Sequence, residues 1–376
     1  MIRTLYMLMT GIMLVMLHGC GEEDYPVPPA STVPKFTVAI DNNEFAPALA
    51  SFTNTSVIPE RAGTFVYYWN FGDGTTSTEK DPAHTYKRPG VFDVKLVVVT
   101  GSSNEINEFT QQVIIKDPNA SGTPVYFTDG GTLFTALIND QAPLATPTGI
   151  KSLGDSYCVA IDTAHDKLYV TDYDGDRIVV ANLDGTEAKD FRTGIGTPTS
   201  VAIDYTNNML YWDTDTGIRR TSLDNSDVSA FDEFATGQSD PEGVSVDPVT
   251  KRLYWNTYSG SVWRQDLNGT TATVATAGEG GGSMLVVGDR IFFDTRNVAQ
   301  GISQLVSTKM DGTGRTVITS GMGNRIYGIA YDGETNKLYW ADRGSDRIMR
   351  ANLDGTEPEP WYTGMAAKGL AIGKNK

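Results

Sequence analysis

A short motif of one apolar residue, two mostly aromatic residues and a Thr–Asp-like pair recurs six times after residue 124. The copies read VYFTD, LYVTD, LYWDT, LYWNT, IFFDT and LYWAD, and their second positions lie 43, 42, 43, 38 and 47 residues apart. Those positions are Tyr126, Tyr169, Tyr211, Tyr254, Phe292 and Tyr339. A period of about 40–45 residues made of short strands is typical of a β-propeller with one blade per repeat. The sequence therefore predicts an all-β propeller of six blades over residues 124–376.

These motifs, LYVTD, LYWDTD, LYWNT and LYWAD, resemble the YWTD repeats of low-density-lipoprotein-receptor-type propellers, a family with six blades. The second halves of the repeats agree as well, since RIVVANLDGTE at 177–187 and RIMRANLDGTE at 347–357 are nearly identical. The resemblance covers residues 124–373. The first blade and the fifth, with IFFDT, depart most from the pattern.

The last strand-like segment, KGLAIG at 368–373, has no partner after it in the chain. Similar segments with small residues precede the second to sixth motifs, at 157–162, 199–204, 242–247, 283–288 and 327–332. The first motif has only the linker NASGTP before it. We therefore expect the C-terminal strand to complete the first blade and close the ring, because closure leaves no unpaired strand edge. The small residues Ala160, Ala202, Ser245, Ala330 and Ala371 suit strands crowded around an axis.

Residues 35–117 predict a separate small β-sandwich, with runs such as KFTVAID, FVYYWNF and VFDVKLVVV between turn-rich stretches. The stretch from YYWNFGDG to VKLVVV closely resembles the PKD family of immunoglobulin-like domains, with Trp69, the FGDG turn, His84 and Tyr86 at the family's positions. Asn70 stands where that family usually has Asp. We interpret His84 as structural, and the resemblance implies a spacer or weak interaction unit.

The first 19 residues predict a secretory signal, because LYMLMTGIMLVML is apolar but too short to span a bilayer. The following LHGC resembles the lipobox of bacterial lipoproteins, which implies lipidation of Cys20; an ordinary signal peptide with an incidental Cys is the alternative. Residues 20–34 are acidic and Pro-rich and predict a tether. Their start, GEED, resembles a signal that sends lipoproteins to the outer face of the outer membrane. We expect a lipid-anchored outer-membrane protein that faces the cell exterior.

The net charge of −16, with no basic patch to offset it, argues against binding to nucleic acid or to anionic headgroups. Cys158 is the one cysteine besides Cys20, so a disulfide framework and a Cys-based zinc site are excluded. We interpret Cys158 as a buried, inert side chain. The motifs G-x-S-x-G, H-E-x-x-H and a Gly-rich phosphate loop are missing from the sequence, and the propeller has one His, His165. We therefore expect a protein that is not an enzyme.

Two sets of loops share one face of a propeller: those that enter the innermost strands and those that link the second and third strands. Their aromatic, Arg, Asn and Glu side chains are suited to stack against and hydrogen-bond a sugar or a peptide. The candidate ligand-binding residues of the first set are Tyr157, Thr199, Glu242, Ser283, Tyr327 and Lys368. Those of the second set are Tyr173, Tyr258, Arg296, Asn297 and Arg343. Each of these side chains taken alone also fits an ordinary solvated loop. The first set should surround the mouth of the central channel of the propeller, and Glu242 is the one acidic residue that we place there.

In TDYDGDR, the aspartates Asp172, Asp174 and Asp176 alternate as at the start of a calcium loop. However, the Gly falls one place early, and Leu183 stands where a closing Glu would be. We predict no cofactor and keep calcium at these aspartates as a hypothesis. The recurring motif aspartates are expected to bond backbone in their own blades; they are Asp129, Asp172, Asp213 and Asp342.

These features favour a cell-surface lipoprotein that acts as a non-catalytic binding module, with the PKD-like domain as a spacer. Its partner would be a glycan or a protein of the cell surface or outer membrane. One alternative is a propeller enzyme, a polysaccharide lyase or hydrolase that uses the axial pocket. Another is a structural component of an outer-membrane uptake complex.

Overall fold

The computed structural model describes residues 31–60, 63–101, 105–118, 121–138, 143–258, 260–297 and 300–374. The predicted signal peptide and Cys20 lie outside these residues, as does most of the tether. The chain divides after Ile115 into two compact units. Within the described residues the helical elements are two 3-10 turns, Asn42–Glu44 and Arg343–Ser345, and neither has the length to cross a membrane.

The first unit consists of two antiparallel sheets. Its strands are β1 (Phe36–Ile40), β2 (Ala48–Asn54), β3 (Phe65–Asn70), β4 (Thr76–Ser77), β5 (Ala83–Tyr86), β6 (Gly90–Thr100) and β7 (Ile106–Ile115). One sheet has the order β1-β2-β5 and the other the order β4-β3-β6-β7. The predicted immunoglobulin-like sandwich is therefore confirmed.

The core of this sandwich is built around Trp69, which is buried and whose ring NH donates to the carbonyl of Glu79 at 2.9 Å. The Asn70 side chain accepts a hydrogen bond from Gly72 N at 2.9 Å, and Gly72 has a φ of 82°. Asn70 thus caps the tight turn as an Asp would. His84 stacks on the Phe71 ring and lies 2.7 Å from Asp73, so its contacts are those of a structural residue.

The second unit consists of short strands from residue 124 onward. They are β8 (Pro124–Asp129), β9 (Thr132–Leu137), β10 (Thr146–Pro147), β11 (Val159–Asp162), β12 (Lys167–Asp172), β13 (Arg177–Asn182), β14 (Lys189–Thr193), β15 (Val201–Asp204), β16 (Met209–Thr214), β17 (Gly217–Ser222), β18 (Asp232–Thr236), β19 (Pro241–Asp247), β20 (Arg252–Thr257), β21 (Val262–Asp266), β22 (Thr273–Thr276), β23 (Met284–Val287), β24 (Arg290–Asn297), β25 (Ile302–Lys309), β26 (Thr316–Met322), β27 (Ile329–Asp332), β28 (Lys337–Asp342), β29 (Arg347–Asn352), β30 (Glu359–Thr363) and β31 (Leu370–Ile372).

Within the described part of the chain, these strands form six four-stranded antiparallel sheets, or blades, one for each motif. Five blades contain four consecutive strands each, from β11–β14 to β27–β30. The first blade has the order β10-β9-β8-β31, with Leu370 opposite Phe127 and Ile372 opposite Val125. The C-terminal strand thus completes the first blade, as the sequence predicts.

The innermost strands form a closed ring, since β31, β11, β15, β19, β23 and β27 each contact the next and β27 contacts β31. Neighbouring innermost strands approach each other so closely that a side chain does not fit at some of the positions where these strands begin. A methyl group at Gly243 would clash with the backbone of Ser283, and one at Gly328 would clash with the carbonyl of Lys368. The small residues predicted for this ring line the axial cavity.

The two central residues of each motif explain how the blades pack together. Successive side chains on a strand point to opposite faces, so each blade sends one of these side chains into each of its two interfaces. All of them are aromatic except Val170 of the second blade. Tyr211 packs in one core cluster with Trp255 of the following blade. Tyr339 of the last blade packs with Phe127 of the first. The motif therefore fills the interfaces all the way around the ring.

Candidate functional site

Several innermost strands begin with a large residue followed by a glycine, and these large residues lie at the mouth of the central channel. Gly243, Gly328 and Gly369 allow adjacent strands to come together. The larger residue just before each glycine lies at the strand entry. These preceding residues are Glu242, Tyr327 and Lys368, all predicted site residues.

Three tyrosine rings come together at this mouth. The Tyr157 ring lies 4.5 Å from that of Tyr327 and 5.6 Å from that of Tyr173, measured between centroids. Tyr157 and Tyr327 come from the innermost strands of non-adjacent repeats, so ring closure is what joins them. Burial raises the pKa of both hydroxyl groups well above the usual value, and they stay protonated at neutral pH.

Lys368 and Asp155 form an ion pair across the point where the ring closes. The Lys368 ammonium also lies 4.6 Å from the centre of the Tyr157 ring, and the Tyr157 hydroxyl donates to Asp155 at 2.5 Å. Burial acts to raise the pKa of Asp155, but the hydrogen bonds from Lys368 and Tyr157 outweigh it and lower that pKa. Asp155, which the sequence did not single out, thus orients two of the predicted residues.

Arg343 lies over the Tyr327 ring, with its guanidinium carbon 5.0 Å from the ring centre. It belongs to the 3-10 turn Arg343–Ser345 that follows β28. Such a cation over an aromatic face is held by the quadrupole of the ring. We call Asp155, Tyr157, Tyr173, Tyr327, Arg343 and Lys368 together the tyrosine cluster.

Glu242 lies beside this cluster. The Tyr327 ring and Glu242 Oε2 both pack against Gly282, where an added methyl group would lie 2.7 Å from the ring and 3.1 Å from the oxygen. The side chain is buried, with 7% exposure, and Oε2 has no hydrogen-bond partner in the protein. Burial first, and then repulsion from Asp213 and Asp240, raises the pKa of Glu242 to about 9. Glu242 therefore carries a proton at pH 7.

Other carboxyl groups also lie near this mouth, so the expectation that Glu242 would be alone is wrong. Asp213 accepts hydrogen bonds from Thr199 Oγ1 at 2.5 Å and from Ser200 N at 2.6 Å. Asp294 accepts from Gly282 N and from Ile326 N. Burial raises the pKa of Asp213 to about 7 and that of Asp294 to about 6. Both aspartates fix the loops that enter the innermost strands.

Tyr258 lies under a cation that the sequence did not predict. The guanidinium of Arg325 lies 3.7 Å from the centre of the Tyr258 ring, donates to the Tyr258 carbonyl at 2.7 Å and lies 3.9 Å from Asp294. The signal for this arrangement was weak, because Arg325 occurs in a loop without a repeat pattern.

The remaining predicted residues have mainly structural contacts. Thr199 is bonded to Asp213, and the Ser283 carbonyl accepts from the Asn256 amide at 2.9 Å. Arg296 donates to Ser303 Oγ and to the carbonyls of Gly301 and Gly323, so it is tied to its own hairpin and the next loop. Asn297 ends β24, and its side chain lies outside the described part.

The calcium hypothesis is not supported by the geometry. Asp172 accepts from Gly154 N at 2.8 Å and pairs with Arg177 at 2.8 Å. Asp174 accepts from Asp155 N, while Asp176 accepts from three backbone amides of residues 195–197. Within the described residues, the acidic, His and Cys side chains form no cluster of three that would hold a metal ion. The motif residues Asp172 and Asp213 bond backbone as expected, whereas Asp342 pairs with the Arg347 side chain at 3.0 Å.

Below the mouth, the innermost strands enclose an axial cavity of about 330 Å³, lined by Cys158, Ala160, Ala202, Ser245 and Ala371 among others. Burial raises the pKa of Cys158 to about 11, which keeps the thiol protonated. A larger cavity of about 560 Å³ lies at the rim between the second and third blades. Its most buried cation, Arg192, donates to backbone carbonyls and to Thr221, so it holds the rim together.

Comparison with known families identifies a PKD domain at residues 32–115. A 62-residue segment is 42% identical to collagenase ColA of Bacillus cereus and covers 16% of this chain and 6% of that protein. A 103-residue segment is 30% identical to collagenase ColQ1 of Bacillus cereus strain Q1 and covers 27% of this chain and 10% of that protein. The chain thus spans a tenth or less of the length of these two curated relatives.

Two solved structures show the fold of the second unit. A chain of the nidogen–laminin complex has a TM-score of 0.58 at 16% identity, over 67% of this chain and 99% of that chain. TolB from Acinetobacter baumannii has a TM-score of 0.53 at 11% identity, over 76% of this chain and 80% of that chain. The likeness establishes a propeller-like fold. A PKD domain beside a propeller-like fold suggests a binding or interaction module.

Proposed function

We propose that the chain is a non-catalytic binding module whose tyrosine cluster holds a glycan, with the PKD domain as a spacer. The observation that carries this proposal is the convergence of Tyr157, Tyr173 and Tyr327 with Lys368 and Arg343 at one mouth. Aromatic faces give apolar contact to the carbon–hydrogen face of a sugar ring, and the surrounding charged groups hydrogen-bond its hydroxyls.

The arrangement is preorganised, which lowers the entropic cost of binding. Tyr157 is fixed by its bond to Asp155, and Asp155 is fixed in turn by Lys368. The protonated Glu242 adds a hydrogen-bond donor whose Oε2 has no partner in the protein. A ligand hydroxyl at that position would satisfy a buried polar atom that otherwise costs about 1–3 kcal/mol.

One observation favours the enzymatic alternative, a polysaccharide lyase or hydrolase. Glu242 has the raised pKa of a general acid. A second group is needed as base or nucleophile, however, and the neighbouring groups suit that role poorly. Asp213 and Asp294 are engaged by loop backbone amides, and the raised pKa values of Tyr157 and Tyr327 make them poor bases. We therefore favour binding over catalysis.

The location that we propose is the outer membrane, with a lipid on Cys20 and the domains facing the cell exterior. This proposal rests on the LHGC and GEED segments, in a chain of which 19 residues precede Cys20. It is tested by replacing Cys20 with Ser and fractionating cells. Loss of the protein from the membrane fraction is expected, and an unchanged distribution would remove the anchor from the proposal.

The binding function is tested on a glycan array with the purified full-length chain and the Tyr157→Ala/Tyr327→Ala double variant. We expect specific hits for the unmodified chain and their loss in the double variant. A blank array for the unmodified chain would contradict glycan binding. The protein-binding alternatives would then be tested by pull-down from outer membranes. Release of reducing ends or unsaturated sugars from an array hit would support the enzymatic alternative instead.

A further inference from the structure

Among the propeller arginines that the structure describes, Arg343 alone makes no hydrogen bond to the protein. Its Nε is buried and has no partner, and its guanidinium carbon lies 5.0 Å from the centre of the Tyr327 ring. By contrast, Arg177 and Arg347, which begin β13 and β29, pair with Asp172 and Asp342. Other arginines without an acidic partner, such as Arg264 and Arg296, donate hydrogen bonds to backbone carbonyls instead, whereas Arg343 donates none.

A buried donor without a partner is costly, and an acceptor group on a ligand would remove that cost at Arg343 Nε. A guanidinium presents its N–H groups as a planar fork that matches the two oxygens of a carboxylate. The Tyr327 ring also contacts this guanidinium, whose central carbon lies 5.0 Å from the ring centre. The geometry thus suits a carboxylate better than a lone hydroxyl.

The acidic groups nearest to Arg343 do not occupy this fork. Asp155 is engaged by Lys368 and by the Tyr157 hydroxyl. Glu242, on the Gly282 side of Tyr327, is protonated at pH 7 and does not repel an anion. The net charge of −16 disfavours approach of an acidic ligand from a distance, so selection here depends on short-range contacts.

We infer that the tyrosine cluster selects glycans that carry a carboxylate, that is, polysaccharides containing hexuronate residues. The uronate carboxylate would lie on Arg343, and its sugar ring would lie against Tyr157 and Tyr327. This inference rests on the proposed function, because it names the class of glycan that the same mouth binds.

The test compares acidic polysaccharides with their carboxyl-reduced counterparts, which keep the sugar stereochemistry and lose the charge. Polygalacturonate, alginate and hyaluronan, each native and carboxyl-reduced, are titrated calorimetrically into the full-length chain. We expect at least one native polymer to bind about tenfold or more tightly than its reduced form. Arg343→Gln should abolish this preference, so that the native and reduced forms of that polymer bind with equal affinity.

Arg88→Gln is the matched control, because it removes the same charge from an exposed site in the PKD domain. It should keep the preference for the native polymer. Circular dichroism melting of the Arg343→Gln variant should match that of the unmodified chain, which separates a lost contact from a lost fold.

The outcomes separate the two proposals. Equal binding of native and reduced polymers that is lost in the Tyr157→Ala/Tyr327→Ala variant would overturn the inference and leave glycan binding in place. A preference for native polymers that persists in Arg343→Gln would also overturn it. Binding of polyglutamate with no binding of any polysaccharide, on these polymers and on the array, would overturn the proposed function as well.

Discussion

Replacement of Glu242 by Gln should make the stability of the propeller nearly independent of pH between 7 and 9. In the folded chain the pKa of Glu242 is about 9, against an ordinary value of 4.5, because the carboxyl group is buried among Asp213, Asp240 and Asp294. The folded state therefore keeps a proton that the unfolded chain releases above about pH 4.5. Stability from this group is complete below that pH and is lost as the pH rises toward 9.

The size of the pH effect follows from the one proton that the folded state keeps on Glu242 and the unfolded chain releases. One such proton changes the unfolding free energy by about 1.4 kcal/mol per pH unit. From pH 7 to pH 9 the unmodified propeller should lose about 2 kcal/mol, since the slope flattens near the folded pKa. Asp213 and Asp294 act in the same direction, but their pKa values of about 7 and about 6 place most of their effect at lower pH. The interval from pH 7 to pH 9 thus isolates Glu242.

The assay is urea unfolding at pH 7, 8 and 9, followed by tryptophan fluorescence, because five of the six tryptophans lie in the propeller. The Glu242→Gln variant should be more stable than the unmodified chain at pH 8 and 9 and should show little slope. Glu187→Gln, at an exposed position, should keep the slope. A flat profile for the unmodified chain, or the same slope in Glu242→Gln, would refute the assignment of a buried, protonated carboxyl.

Two further predictions concern the closed ring and its rim. Leu370 is buried in the closing strand, so Leu370→Ala should lower the unfolding free energy by about 2–5 kcal/mol. Val249→Ala, at an exposed turn, should not. Equal effects of the two substitutions in urea titrations would contradict a stabilising role of the closing strand. Arg192 donates to four backbone carbonyls and to Thr221. Arg192→Met should therefore cost about 3 kcal/mol or more in the same titration, because it leaves buried acceptors unpaired. An unchanged unfolding midpoint would show that the rim does not depend on this guanidinium.

The propeller was predictable from sequence because its determinants repeat. Each aromatic motif fills two interfaces, and the unpaired segment at 368–373 left one place for the closing strand, which Leu370 occupies opposite Phe127. The PKD domain was predictable because its FGDG turn and Trp69 are specific. The regular packing of the blades could thus be predicted because the residues that produce it recur at nearly regular intervals in the sequence.

The candidate site was only partly predictable, since it depends on departures from the repeat. Asp213 and Asp294 stand where other blades have Thr171, Asn256 or Ala341. The side chain at this position accepts hydrogen bonds from the loop that enters the innermost strand. An Asp at this position of the motif could therefore have indicated that acidic groups lie near the mouth. Asp155 and Arg325 lie in loops whose lengths differ between the repeats. The repeats cannot be aligned in these loops from a single sequence, so the positions of the two side chains could not be predicted.

The central claim is that the tyrosine cluster at the channel mouth is where the propeller binds its ligand. The most direct measurement compares the glycan-array profile of Tyr157→Ala/Tyr327→Ala with that of Tyr205→Ala/Tyr331→Ala, which removes two tyrosines from the other end of the axial cavity. We expect the first variant to lose the hits of the unmodified chain and the second to keep them. Retention of the hits by the first variant, with loss in the second, would place binding at the opposite end and contradict the account.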